Sequence, residues 1–149
     1  MPLIRIVVSE SAFDMVKETA RLLTESDGVG GVGSFLGVVR GGNGLVALTL
    51  EHYPGMCEGV LTALAQEAVA RFSLAGCTVI HRVGRLMVGE PIVLVLTAAA
   101  HRAAALDGTR FLIDRLKTGA PFWKMEEFAD GRRVWVESRA EDEAAAAGW

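Results

Sequence analysis

The chain has 149 residues, 51% of them hydrophobic and 22% charged, with a formal net charge of -3. A chain of this length buries about 68–70% of its unfolded surface in one core, so a single domain over residues 1–149 is expected, and the acidic balance excludes the broad basic footprint behind nonspecific nucleic-acid binding. The opening Met1-Pro2-Leu3-Ile4-Arg5 is no secretion signal, no uncharged run approaches the ~20 residues that span a bilayer, and Cys57 and Cys77 fit no C-x-x-C spacing; a cytoplasmic setting, buried inert thiols and no metal site are therefore expected.

Leu3 to Val8 is rich in β-branched residues and reads as a strand. After Ser11, the residues Phe13, Val16, Ala20 and Leu23 fall at helical steps, and Asp27-Gly28 ends that helix. Val29 to Val39 reads as a glycine-rich strand, joined through a hairpin at Gly41-Gly42-Asn43-Gly44 to a second strand, Leu45 to His52. No helical stretch follows those glycines, which argues against a phosphate loop. Pro54-Gly55 opens a helix with Met56, Val60, Leu64, Ala68 and Phe72 at four-residue steps, closed by Gly76.

Cys77 to Leu86 and Pro91 to Ala98 read as two further strands, the second carrying a continuous apolar run, Ile92 to Leu96, as in a strand covered on both faces. The third helix runs from about His101 to Leu116, with Gly108 inside it at a site of close packing. Trp123 to Phe128 and Arg133 to Glu137 flank the turn Asp130-Gly131. Ser138-Arg139-Ala140-Glu141 has the capping-box pattern that opens a last, alanine-rich helix. Strands and helices alternating in this way predict an α+β, or mixed α/β, fold.

Chemistry concentrates between Leu116 and Glu126, where Lys117 and Lys124 lie seven residues apart across Pro121 and beside Phe122 and Trp123. Two ammonium groups against aromatic walls make an anion site, and crowded or desolvated lysines supply acid, base or oxyanion-stabilising chemistry near neutral pH. His101 and Arg102 open a helix, where unpaired N–H groups and the positive dipole end favour phosphate. Arg40 ends a strand and can grip phosphate bidentately. His81 and Arg82 lie within an alternating strand, face opposite sides and read as structural. Arg102 and Lys117 sit at opposite ends of one helix, about 22 Å apart. They serve either two sites or one composite site shared across a symmetric homodimer.

Five motifs occur in order: F-x-G-x-V-R ending at Arg40, L-x-x-E-H-Y-x-x-M ending at Met56, H-R-x-G-x-L-x-x-G-E from His81, H-R-x-x-A from His101, and L-K-x-x-x-P-x-W-K-x-E from Leu116. Together they resemble the catalytic (large) subunit family of molybdopterin synthase, from about Ile4 to Trp149. The resemblance implies the α/β hammerhead fold with a small additional antiparallel sheet. It implies a sulfurtransferase that installs the dithiolene sulfurs of molybdopterin on cyclic pyranopterin monophosphate. Sulfur arrives as a thiocarboxylate on the C-terminal Gly-Gly of a small ubiquitin-like partner, within a heterotetramer of two large and two small subunits, and no cofactor is implied.

On this reading Lys117 is general acid/base or oxyanion stabiliser and Lys124 supports it. Arg40, His101 and Arg102 hold the substrate phosphate, Met125 and Glu126 line the same wall, and Arg139 contributes across the dimer. Three departures stand out: the Gly41–Gly44 turn is short, Leu106 replaces a frequent aromatic, and Met125 replaces a frequent basic residue. The rival class is a noncatalytic homologue, a scaffold for a phosphorylated ligand or for the small subunit. A nucleic-acid module using Arg40, Lys117, Trp123 and Lys124 is disfavoured by the acidic charge.

Overall fold

The computed structural model describes residues 2–136 and 140–149, the first two of the latter by backbone alone. Among them are β1 (Leu3–Ser9), α1 (Met15–Glu25), β2 (Gly31–Val38), β3 (Leu45–His52), α2 (Met56–Phe72), β4 (Gly76–Arg82), β5 (Gly84–Met87), β6 (Pro91–Ala99), α3 (Arg102–Gly119), β7 (Phe122–Phe128), β8 (Arg133–Val136) and α4 (Ala140–Ala147). They form two four-stranded sheets, ordered β1-β4-β6-β2 and β5-β3-β7-β8. In the first, β1 and β4 run parallel while β6 is antiparallel to both its neighbours; every pairing in the second is antiparallel. The result is the mixed α/β fold with an additional antiparallel sheet that the resemblance implies.

β6 is the spine of the core. Its residues Ile92 to Ala99 are all buried, because helices cover both faces of the first sheet. Leu94, Leu96 and Ala98 pack with Leu22 of α1 on one side, while Val93, Val95 and Ala99 join Leu61 of α2 and Phe111 and Leu112 of α3 on the other. Each such aliphatic or aromatic side chain contributes roughly 1.5–3 kcal/mol on full burial. No helix among the described residues is long and apolar enough to cross a membrane.

Two close approaches seat α3 on the sheet. A Cβ on Gly33 of β2 would stand 2.4 Å from the Ala105 carbonyl oxygen and 2.5 Å from Thr109 Oγ1, so only glycine fits. Gly108 meets the Leu74 methyls at 3.1 Å from its own ideal Cβ, the tight packing expected there. Thr97 Oγ1 donates to the Ala105 carbonyl at 2.5 Å and lies 2.6 Å from Thr109 Oγ1, satisfying the buried hydroxyls at the same contact.

Several elements differ from their sequence reading. Cys77 to Leu86 is not one strand: the chain breaks between Arg82 and Gly84, where φ is +84°, and passes from the first sheet to the second. The glycine-rich turn at 41–44 is no hairpin, since β2 and β3 belong to different sheets. In α1 the N-cap is Asp14, whose carboxylate accepts from the Val16 and Lys17 N–H groups. Its buried residue is Leu22, whereas Val16, Ala20 and Leu23 face solvent. Helical spacing alone did not distinguish the two faces. α2 stops at Phe72 with Ser73 in the left-handed region, and Gly76 instead begins β4. The Asp130-Gly131 turn joins β7 to β8 as expected, closed by Gly131 N–H to the Phe128 carbonyl at 2.9 Å. Residues 137–139, including Ser138 and Arg139 of the anticipated capping box, lie outside the described residues.

Candidate active site

A cavity of about 320 Å³ opens between the two sheets and the end of α3. Its size is that of a small-ligand site. Lys117 comes from the last turn of α3, where a cation is favoured by the helix dipole. The helix closes with the Ala120 N–H on the Leu116 carbonyl, 3.3 Å, and after Pro121 the chain enters β7. Strand alternation then turns Phe122, Lys124 and Glu126 into the cavity. Breaking the helix after Lys117 is what brings the two lysines, seven residues apart, to one wall.

Arg40 completes the cationic set. Val39, just before it, is tied at both polar groups, donating to the Glu90 carbonyl and accepting from Gly89 N–H at 2.9 and 2.8 Å. The turn is itself fixed: Met87 N–H donates to Glu90 Oε2 at 2.6 Å and Arg82 lies 3.4 Å from Glu90 Oε1. The Met87 bond and then Arg82 hold the Glu90 carboxyl below its ordinary range. The segment from His81 to Glu90 thus fixes the backbone just before Arg40, and Arg82 serves that fold through Glu90 and the Glu10 and Pro91 carbonyls.

His81 differs from its structural reading. It is 3% exposed, and it also lines the cavity. Its ring stacks on Phe122 at 4.0 Å and 25°, and its Nδ1 lies 2.8 Å from the Arg82 carbonyl. Burial first, then the positive fields of Lys117, Lys124 and His52, push its pKa down to about 3, against the raising effect of the Arg82 hydrogen bond. Alternation predicted that His81 and Arg82 face opposite sides. It gave no sign that the histidine's side meets the cavity.

Asp142 of α4 was also missed. It reaches the cavity because Trp149 anchors α4. The indole Nε1 donates to Asp114 Oδ2 at 2.7 Å, Arg71 Nη1 donates to the Trp149 carbonyl at 2.6 Å, and the ring meets Phe72 and Phe111 edge to face. An alanine-rich tail carries no sequence signal for such a role.

Other candidates fall elsewhere. Met125 is on the opposite face of β7 from Lys124 and Glu126, across from Thr49 and Trp135, so it does not share their wall. His101 and Arg102 are exposed at the far end of α3 and do not line the cavity; His101 is the N-cap residue without a side-chain capping bond. Burial raises the thiols of Cys57 and Cys77 to about 11 and about 12, which leaves both as inert core residues. No group of metal-ligating side chains occurs among the described residues.

The cavity therefore offers three cationic side chains, two carboxylates (Glu126 and Asp142) and a neutral imidazole on apolar walls. That arrangement can bind an anion and stabilise negative charge developing on a substrate.

The model of the family described as "MoaE protein" matches residues 8–119. A molybdopterin synthase catalytic subunit of Pseudomonas aeruginosa is 48% identical over 147 residues, 97% of each chain. One of Mesorhizobium japonicum is 48% identical over 150 residues, covering 99% of this chain and 93% of its own. Among solved structures, the molybdopterin cofactor biosynthesis protein E of Burkholderia multivorans superposes with a TM-score of 0.85 at 41% identity, covering 99% of this chain and 97% of that one. By family model, near-full-length identity and fold alike, the chain belongs to the MoaE family.

Proposed function

We propose that this chain is the catalytic subunit of a molybdopterin synthase, a sulfurtransferase that acts on cyclic pyranopterin monophosphate. The observation that carries the reading is the convergence of Arg40, Lys117 and Lys124 on one small, partly apolar cavity. The designation of its relatives as molybdopterin synthase catalytic subunits supports the choice of reaction.

Sulfur transfer from a thiocarboxylate requires two steps. The sulfur forms a bond to an electrophilic substrate carbon as a bond from that carbon to oxygen breaks and the oxygen takes a proton, leaving the donor's acyl carbon joined through sulfur to the pterin. Water then adds to that acyl carbon, a tetrahedral oxyanion forms, and the acyl carbon–sulfur bond breaks, with sulfur staying on the pterin and a carboxylate on the donor. In this scheme Lys117 stabilises the oxyanion and moves the proton, and Lys124 supports it. Arg40 holds the substrate phosphate. The inert state of both thiols supports an external sulfur donor, the C-terminal Gly-Gly thiocarboxylate of a small ubiquitin-like subunit.

His101 and Arg102 enter the same scheme from a second copy. They stand about 22 Å from Lys117 along α3, so a homodimer that brings one copy's α3 N-terminus to the other's cavity gives all of the predicted phosphate ligands one target. Two such chains and two small subunits form the heterotetramer, and Arg139 is assigned to the same dimer contact.

The test is product formation from cyclic pyranopterin monophosphate by this chain with a C-terminally thiocarboxylated small subunit. Molybdopterin is expected in stoichiometric yield with the sulfur supplied. Tight binding of the small subunit without any product would instead identify a scaffold.

A further inference from the structure

We infer that Asp142 is a specificity residue of the cavity, its carboxylate accepting from the amino group and the adjacent ring N–H of the pterin's pyrimidine edge. This rests on the pterin substrate proposed above. A carboxylate beside an anion site repels the anion, so a cavity that took only a phosphate would gain nothing from Asp142 among its lining residues. A pterin phosphate accounts for both signs of charge. Its phosphate needs cations, and its pyrimidine edge presents two neighbouring N–H donors that match the two oxygens of one carboxylate, as a guanidinium does.

Two carboxylates line the cavity, Glu126 and Asp142, and neither makes a hydrogen bond or ion pair to another described residue. Both are open to a ligand's donors. Glu126 stands two residues after Lys124 on the same face of β7, at the lysine wall where the reacting end of the substrate belongs. Asp142 comes from a separate element, α4, which follows the edge strand β8 of the second sheet. Arg40 follows β2, the edge strand of the first sheet.

The register of α4 is fixed from its far end. Trp149 Nε1 donates to Asp114 Oδ2 at 2.7 Å, and the indole meets Phe111 edge to face with ring centroids 5.7 Å apart, so the end of α4 is pinned to α3. Helical winding continues up to that anchor, with Gly148 N–H on the Ala144 carbonyl at 3.2 Å and Trp149 N–H on the Ala146 carbonyl at 3.3 Å. Asp142 lies seven residues before Trp149, about two turns and about 10 Å. It is therefore on the face of α4 that Trp149 presses against α3, and it is partly buried there.

The test compares two fluorescent probes on the intact chain near neutral pH, hydroxymethylpterin phosphate and its lumazine counterpart, which has a carbonyl in place of the amino group. The wild type is expected to prefer the pterin about 10- to 100-fold, the effect of hydrogen bonds to a charged acceptor. In Asp142→Asn the preference should shrink toward unity, and Asp142→Glu, which keeps the carboxylate on a longer arm, should retain part of it. Inorganic phosphate, measured as a competitor, is expected to bind Asp142→Asn at least as tightly as the wild type, because a negative charge has left the cavity. A wild-type preference in Asp142→Asn would overturn the inference. So would equal weakening of both probes and of inorganic phosphate, which would reduce Asp142 to a structural part. A wild-type chain that binds inorganic phosphate but neither probe would sink the pterin reading, and this inference with it.

Discussion

Lys117 and Arg40 share a cavity, and the proposed reaction gives them separable tasks. A group that stabilises charge only as the transition state forms lowers kcat when removed, whereas one that grips an unreacting phosphate raises KM. Lys117→Ala is therefore expected to lower kcat by roughly 10²- to 10³-fold with little change in melting temperature. Arg40→Ala should act chiefly on KM. Steady-state kinetics on both variants checks the division, and a Lys117→Ala enzyme of near-normal kcat would refute it. His81 adds a pH prediction whose sign can be worked out. Its pKa is about 3 in the native state and about 6.5 in an unfolded chain, so between those values the unfolded state binds more protons and acidification weakens the fold. Glu90 and Asp130, whose carboxyls are also lowered in the native state, act with the same sign but only below the ordinary carboxylate range. Urea midpoints should therefore fall from about pH 6.5 toward about pH 4.5 in the wild type, and that part of the decline should flatten in His81→Phe.

At the scale of elements, glycine has opposite value in two places. In β2, a methyl on Gly33 would collide with the backbone of α3 at 2.4 Å, so Gly33→Ala must push helix from sheet and is expected to cost about 1–3 kcal/mol or more. In α2, Gly59 has nothing within 4 Å of its ideal Cβ, and Gly59→Ala should stabilise by about 0.5–1 kcal/mol through helix propensity. Thermal unfolding of the pair tests whether the α3–β2 contact is as tight as described; equal effects would refute it. The same elements show what the sequence could disclose. The lysine pair was legible because one short segment contains the helix end, the proline and the strand that converge it. The break at Gly84 was not, because the flanking Cys77–Arg82 and Arg85–Met87 both look like strand and only the sheet assignment separates them. In α1 the exposed apolar residues Val16, Ala20 and Leu23 imitate a core stripe, while the buried face needed only Leu22 and partly buried neighbours. His81 and Asp142 were missed for a third reason, since their roles depend on contacts between elements far apart in sequence.

For the whole molecule, the length of α3 sets the organisation of the site. Its C-terminal end delivers Lys117 to the cavity, and its N-terminal end carries His101 and Arg102 out to the surface about 22 Å away. Nothing within one chain can fold that rigid helix back on itself, so one shared site for the two groups requires a second copy. If each site takes Lys117 from one chain and His101 from the other, neither His101→Ala nor Lys117→Ala alone makes a working site. A dimer holding one chain of each type regenerates one intact site of its two. Random reassociation of equal amounts yields half mixed dimers, so activity should recover to about a quarter of wild type after dissociation and remixing. If both residues serve sites within their own chain, each chain of the mixed dimer still lacks one of them, and no activity returns. Molybdopterin formation measured before and after remixing, with the small subunit in excess, separates the two arrangements. Recovery would show that the exposed end of α3 belongs to a partner's cavity, and its failure would leave His101 and Arg102 as a separate surface site.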